Sequence, residues 1–308
     1  LEPYNPEAWR LLASAQADAG QADAAESSLA KCLELDPTDS AAAFALATLM
    51  RLQGKLAEAV PLYQRALQHC THATACLIAA NFSEVLADLG QKNDAINILT
   101  EVLGLFPDFA EGWNNLGTLY LGLGRFEDAV KAYRKCRTLA PDNIIAANNL
   151  AAAWLKSGHP DKALAQYQQN AEAWPDNPDI LTGLGNVQVS VENFEEAITA
   201  YSRVLELEPE NIDALHGRAV ANHRRASTFG GADYYRAALN DYLRVATLDP
   251  THLPAQQNMG LLLQLLDQHE KAIAAFRRVI QEDPRYLAAY SSMAHSMQHC
   301  CQWENLDA

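Results

Sequence analysis

The stretch AEGWNNLGTLYLGLGRFEDAVKAYRKCRTLAPDN, from Ala110 to Asn143, carries two helical stripes and two stops within 34 residues. Counting Ala110 as position 1, Trp113, Leu116, Gly117 and Tyr120 fall at positions 4, 7, 8 and 11, the i, i+3, i+4, i+7 face of one amphipathic helix. Ala129, Tyr133 and Cys136 at positions 20, 24 and 27 mark the buried face of a second. Gly124 at position 15 permits the turn between them, and Pro141 at position 32 stops the second helix and starts the crossing onward. Small residues at 8 and 20 let the two helices approach, while the aromatics at 4, 11 and 24 fill the remaining volume.

The pattern recurs on both sides of this stretch. Pro3, Pro37, Pro107, Pro141, Pro175, Pro209, Pro250 and Pro284 are separated by 34, 70, 34, 34, 34, 41 and 34 residues. A fixed period of this size means a stacked array. Position 20 is alanine in eight successive repeats, from Ala25 through Ala95 and Ala163 to Ala272, and position 24 is Tyr63, Tyr133, Tyr167, Tyr201, Tyr242 or Phe276 in six of them. The Trp–Leu–Gly–Tyr…Ala…Tyr…Pro series resembles the tetratricopeptide repeat, a helical-pair unit. The resemblance implies an all-α fold, a right-handed superhelical solenoid of antiparallel helix pairs. The repeats are 6–39, 40–73, 76–109, 110–143, 144–177, 178–211, 212–252 and 253–286. Residues 1–5 read as the end of an upstream repeat, and 287–308 as a terminal helix running toward a downstream domain.

Two interruptions break the period. Two extra residues lie near Thr74–Ala75. Seven more lie in repeat seven, 212–252, within Arg224–Tyr235. There the Gly230–Gly231 pair reads as a turn between two lengthened helices, with Asp233 as a cap for the second.

Composition excludes several functions. Hydrophobic residues make up 49%, enough for a continuous core. Lys plus Arg is 23 against 38 Asp plus Glu, a formal charge of −15, which disfavours nucleic acid and anionic membrane as partners. The six cysteines have irregular spacing, as in a reduced cytoplasmic protein. There is no Gly-rich phosphate loop, no nucleophile elbow and no zinc-protease helix, so neither a catalytic site nor a cofactor is expected within the chain. His69, Cys70, His72 and Cys76 form one His/Cys cluster, and His295, His299, Cys300 and Cys301 another. Neither has a second matching pair at finger-like spacing, so no metal is expected.

The candidate binding residues lie on the first helix of each pair. Positions 2, 6, 9 and 13 form a stripe facing away from the packed one, which in repeats of this kind lines the concave surface. Position 6 is Asn81, Asn115, Asn149 and Asn258 in repeats three, four, five and eight. A carboxamide both donates and accepts, so it can pair with the backbone of any extended peptide. Protein or peptide clients are therefore the expected partners. A lysine and arginine clamp for acidic tails does not fit, because the equivalent positions supply mainly Glu111, Asn114, Ala152, Asp179, Asp213 and Val220.

The chain ends in Ala289, Tyr290, Ala294, Gln298, Cys301, Trp303 and Asp307, spaced as in the passage from repeats to catalytic region of the O-linked N-acetylglucosamine transferase family, including its SPINDLY-like members. This tail resembles that junction, although Gln302 stands where the family has Asp. The resemblance implies a substrate-guiding arm for a UDP-sugar-dependent enzyme whose catalytic residues would lie downstream. A free-standing scaffold or adaptor is the rival.

Overall fold

The computed structural model describes residues 4–300, which contain seventeen α-helices and no strand. They fall into two compact units that divide at Ser157–Gly158. In the first, α1 (Pro6–Asp18) pairs with α2 (Ala22–Leu35), α3 (Ser40–Leu52) with α4 (Leu56–His69), α5 (His72–Asp88) with α6 (Lys92–Leu105), and α7 (Ala110–Gly122) with α8 (Phe126–Leu139), and α9 (Ile144–Lys156) packs on α8. In the second, α10 (Pro160–Ala173) packs on α11 (Pro178–Ser190), which pairs with α12 (Phe194–Leu207). There too α13 (Ile212–Phe229) pairs with α14 (Ala232–Leu248) and α15 (Leu253–Leu265) with α16 (His269–Glu282), on which α17 (Leu287–His299) lies.

The periodic prolines act as the sequence implies. The helices preceding Pro37, Pro107, Pro141, Pro175, Pro209, Pro250 and Pro284 end two residues before the ring, at Leu35, Leu105, Leu139, Ala173, Leu207, Leu248 and Glu282. Two residues after the proline comes a cap. Asp39, Asn143, Asn177 and Asn211 accept hydrogen bonds at 2.9–3.1 Å from the amides of Ala42, Ala146, Ile180 and Ala214, the first-turn donors of the next helix. Repeat two has Thr71 at this proline position, and without the ring α5 begins a turn early, which absorbs the two extra residues.

The turn after the first helix of a repeat takes a left-handed residue, and in repeats one to five it is glycine. Gly20, Gly54, Gly90, Gly124 and Gly158, all at position 15, have φ between 72° and 78°. Glu192 and Asp267 hold the same left-handed conformation in repeats six and eight, at φ 63° and 55°.

Buried aromatics fill each unit. Tyr63 and Tyr133 in the first, and Tyr201, Tyr242 and Phe276 in the second, are at most 1% exposed. A Cβ added to Gly117, Gly185 or Gly260 at position 8 would stand 2.4–2.7 Å from the ring of Tyr133, Tyr201 or Phe276, so these glycines exist to admit the rings. Trp113 is only half-buried, with its Nε1 donating to the Pro107 carbonyl at 2.8 Å, so it covers the edge of the core instead of filling it.

Repeat seven takes up its seven extra residues by lengthening both helices, α13 to 18 residues and α14 to 17. Only Gly230 and Gly231 join them, both at positive φ. Asp233 does not cap α14. The N-cap is Gly231, and Asp233 sits inside the first turn, where it pairs with Arg236 at 2.6 Å. The added turns lean on repeat six. Arg225 Nε and the Tyr234 hydroxyl both donate to Glu195, at 2.8 and 3.0 Å, Arg224 meets Glu192 at 3.6 Å, and the Phe229 ring lies edge-on to Phe194.

Candidate functional site

In the first unit the first helices of neighbouring pairs touch one another, α3 on α5, α5 on α7 and α7 on α9, and no comparable packing joins the second helices. The first helices therefore form the inner wall of that stack. Positions 2, 6, 9 and 13 face out from this wall: Leu52, Leu77 and Ile145 are 75%, 51% and 65% exposed, although aliphatic. Small residues at Ala41 and Ala45 leave a recess of about 300 Å³ between α1 and α3, bounded by Arg10, Ser14 and Leu49.

Asn81, Asn115 and Asn149 occupy position 6 on three successive first helices of this wall, α5, α7 and α9, and all three are partly exposed. They are not equivalent. The Asn81 amide nitrogen donates to the Leu77 carbonyl one turn back at 2.9 Å, which leaves its Oδ1 as the outward group. Asn115 has its nitrogen covered and unpartnered, and its Oδ1 faces Asn114 Nδ2 at a long 3.5 Å. The beside-standing Asn114 and Asn148, at position 5, also have covered, unpartnered Oδ1 atoms. Along this wall Asn81 keeps its Oδ1 as an acceptor, while Asn114, Asn115 and Asn148 each hold one covered polar atom that the fold leaves unpartnered.

Asn258 has a different setting. It lies in the second unit, with its Nδ2 3.3 Å from Nε2 of His216 and its side chain hydrogen-bonded to the buried Tyr242 hydroxyl. His216 also faces His252, with ring centroids 4.9 Å apart, and burial first, then His252, drive its pKa down to about 4. A neutral ring whose Nε2 accepts from the Asn258 amide satisfies both groups. The His252 Nδ1 in turn caps α15 by accepting from the Ala255 amide at 3.1 Å. Asn258 is thus part of an internal polar cluster. Sequence position alone did not separate it from the other three, because its partner His216 lies 42 residues away.

In each unit buried tyrosines reach position 9 of their own repeats. The Tyr63 hydroxyl lies 3.4 Å from Thr48 Oγ1, Tyr133 lies 3.0 Å from Thr118 Oγ1, and Tyr201 donates to Asn186 Oδ1 at 2.8 Å. Burial pushes the Tyr167 hydroxyl up to about 12 and raises Tyr133 and Tyr201 too, so these groups stay protonated.

The His/Cys clusters are placed as follows. His72 packs edge-on to Phe106, and the Cys70 thiol donates to the Leu67 carbonyl. The rings of His269, His295 and His299 contact one another, His269 and His299 stacked at 4.4 Å. Among the described residues no group of three His, Cys, Asp or Glu side chains is placed to hold a metal ion. No helix there is long and apolar enough to cross a membrane. Of the tail residues, Ala289 is buried and Tyr290 exposed on α17, while Cys301, Trp303 and Asp307 lie outside the described residues.

Models described as tetratricopeptide repeat match residues 110–143, 154–221 and 253–286. A model of anaphase-promoting complex, cyclosome, subunit 3 matches 3–102. No curated protein matches the chain. Solved structures with this fold include yeast Tom70, at 17% identity and TM-score 0.61, covering 92% of this chain and 61% of that one. A tetratricopeptide repeat protein from Parabacteroides merdae gives 19% and 0.63, covering 84% and 98%. The Cut9–Hcn1 hetero-tetramer of the anaphase-promoting complex gives 14% and 0.64, covering 89% and 52%. The chain spans 61% of the Tom70 chain and about half of the Cut9 one.

Proposed function

We propose, from the premise that the chain is an array of tetratricopeptide repeats, that its inner wall binds extended segments of client proteins. The observation that carries this is the row of partly exposed amides Asn81, Asn115 and Asn149 on adjacent first helices, with the Asn81 Oδ1 and the Asn115 Nδ2 left unpartnered by the fold. An extended client backbone supplies the complementary N–H and C=O groups without regard to its sequence. Asn258, engaged with His216 and Tyr242, would join the set only by giving up those contacts. Structural kinship to a subunit of the anaphase-promoting complex supports the broader role of scaffold or adaptor.

The test is combined replacement of Asn81, Asn115 and Asn149 by alanine, with affinity for several labelled peptides read by fluorescence anisotropy. Each hydrogen bond is worth about 0.5–1.5 kcal/mol net, so single changes weaken binding a few-fold and the triple change costs about 2–4 kcal/mol. Circular dichroism should show an unchanged fold. Unaltered affinity in a folded triple variant rejects the wall as the site.

The finer reading is that this wall feeds a cytoplasmic protein O-glycosyltransferase, supported by the tail from Ala289 to Asp307. It is tested on the full-length protein with a UDP-sugar and a bound client. Absence of sugar transfer leaves the free-standing scaffold.

A further inference from the structure

The first unit's inner wall has three rows. The middle row, position 6, runs Leu11, Ala45, Asn81, Asn115, Asn149. The row at position 2 runs Glu7, Ala41, Leu77, Glu111, Ile145, and the row at position 13 runs Asp18, Leu52, Asp88, Gly122, Lys156. The two flanking rows mix the carboxylates Glu7, Glu111, Asp18 and Asp88 with the exposed aliphatic side chains Leu52, Leu77 and Ile145. The carboxylates of Glu7, Asp18, Asp88 and Glu111 form no ion pair within the described residues, whereas the wall's arginines are neutralised, Arg10 by Asp39 at 3.4 Å and Arg51 by Glu84 at 3.0 Å. Four carboxylates without an ion pair thus stand against two cations, Lys156 in the row and Lys92, whose ammonium donates to the Gly122 carbonyl at 3.1 Å.

We infer that the client segment is basic and aliphatic: an extended stretch in which lysine or arginine residues are interspersed with leucine-like ones. This rests on the reading of the wall as a client site and adds what that site selects. A strand laid along the middle row sends successive side chains to opposite sides, toward the two flanking rows. Packed helices stand about 8–10 Å apart and a strand rises about 3.3 Å per residue, so one repeat spans about three client residues. Amide pairing in the middle row holds the backbone of any segment. The flanking rows then favour cations opposite Asp18, Asp88, Glu7 and Glu111 and apolar groups opposite Leu52, Leu77 and Ile145, and they repel acidic segments.

The experiment uses the intact chain and three fluorescein-labelled peptides of equal length: one of interleaved Lys and Leu, one of Glu and Leu, and one of Ser and Gln. At low salt the Lys/Leu peptide should bind about tenfold tighter than the Glu/Leu peptide, and the gap should close as salt rises from about 50 to 500 mM. The Asp88→Asn/Glu111→Gln double variant, folded by circular dichroism, should narrow the gap several-fold at low salt. Equal affinity for the Lys/Leu and Glu/Leu peptides, or an unchanged gap in the double variant, overturns the inference. If binding of the Ser/Gln peptide still falls in the Asn triple variant, the wall survives as a sequence-blind site. Failure of all three peptides to bind overturns the site itself.

Discussion

Position 6 is used in two ways. In the first unit it is Leu11 and Ala45, then Asn81, Asn115 and Asn149, the three amides partly exposed on the inner wall. In the second it is Gly183, Gly217 and Asn258. A Cβ on Gly183 would stand 2.3 Å from the Tyr167 ring, and one on Gly217 2.5 Å from the Tyr201 ring. Asn258 is held by His216 and Tyr242. Where the first unit has asparagine the position is partly exposed, and where the second has glycine it seats the preceding aromatic. A second contrast lies at position 15, where the described turns of the first unit have glycine but repeats six and eight force Glu192 and Asp267 into positive φ. The same repeat thus tolerates different residues at one slot when a neighbour takes over the job.

Removing an aromatic should produce the largest effect. Tyr201→Ala deletes a ring lying under both Gly185 and Gly217, and should lower unfolding free energy by about 3–5 kcal/mol in urea titration. A loss under about 1 kcal/mol would mean the glycines do not serve that ring. Trp113→Ala should cost less, because Trp113 is only half-buried. The contrast at position 6 is tested by exchange. Gly217→Asn should destabilise by about 1–3 kcal/mol through overpacking on Tyr201, whereas Asn149→Gly should cost no more than about 1 kcal/mol of helix propensity. Equal costs would erase the distinction between the two units.

The polar cluster around Asn258 predicts a pH dependence. With the folded His216 at about 4 and an ordinary unfolded value near 6.5, the unfolded chain binds more protons between these limits. Its contribution to stability is therefore complete above about pH 6.5 and is lost as pH falls toward 4. After allowance for its partial exposure the effect is about 1–2 kcal/mol. It should shrink in His216→Gln when urea midpoints at pH 7 and pH 5 are compared, and an identical pH profile would remove His216 from the buried cluster. The smallest effect belongs to the turn: Glu192→Gly relieves a left-handed residue and should stabilise by about 0.5–1 kcal/mol, less what the exposed contact with Arg224 supplied. Destabilisation would show that the Arg224 contact outweighs the backbone strain.

Much of the architecture was legible because it is periodic. A proline ring cannot continue a helix wherever it occurs, so Pro37 and Pro284 report the same event 247 residues apart. The caps at Asp39, Asn143, Asn177 and Asn211 were equally readable from their place two residues on. What did not follow from spacing was anything decided between repeats. Asn258 matches Asn81 in register, yet its partner His216 is 42 residues away on another helix. Asp233 has cap chemistry, but Gly231 reached the cap position because the long α14 starts immediately after the glycine pair. Trp113 carries the bulk of a core residue, and only the packed pair shows it at the rim.

The lengthened pair of repeat seven changes how the second unit comes apart. In an array, stability is a sum of each repeat's own term and the terms joining it to its neighbours. Most junctions here consist of one helix on the next. Between repeats six and seven, Glu195 is also gripped by Arg225 and Tyr234, and Phe194 by Phe229. That extra coupling makes the two repeats melt as one block. Fraying that starts at α17 and runs inward should pause at this point, so amide exchange would report α12 and α13 opening together, later than α15 and α16.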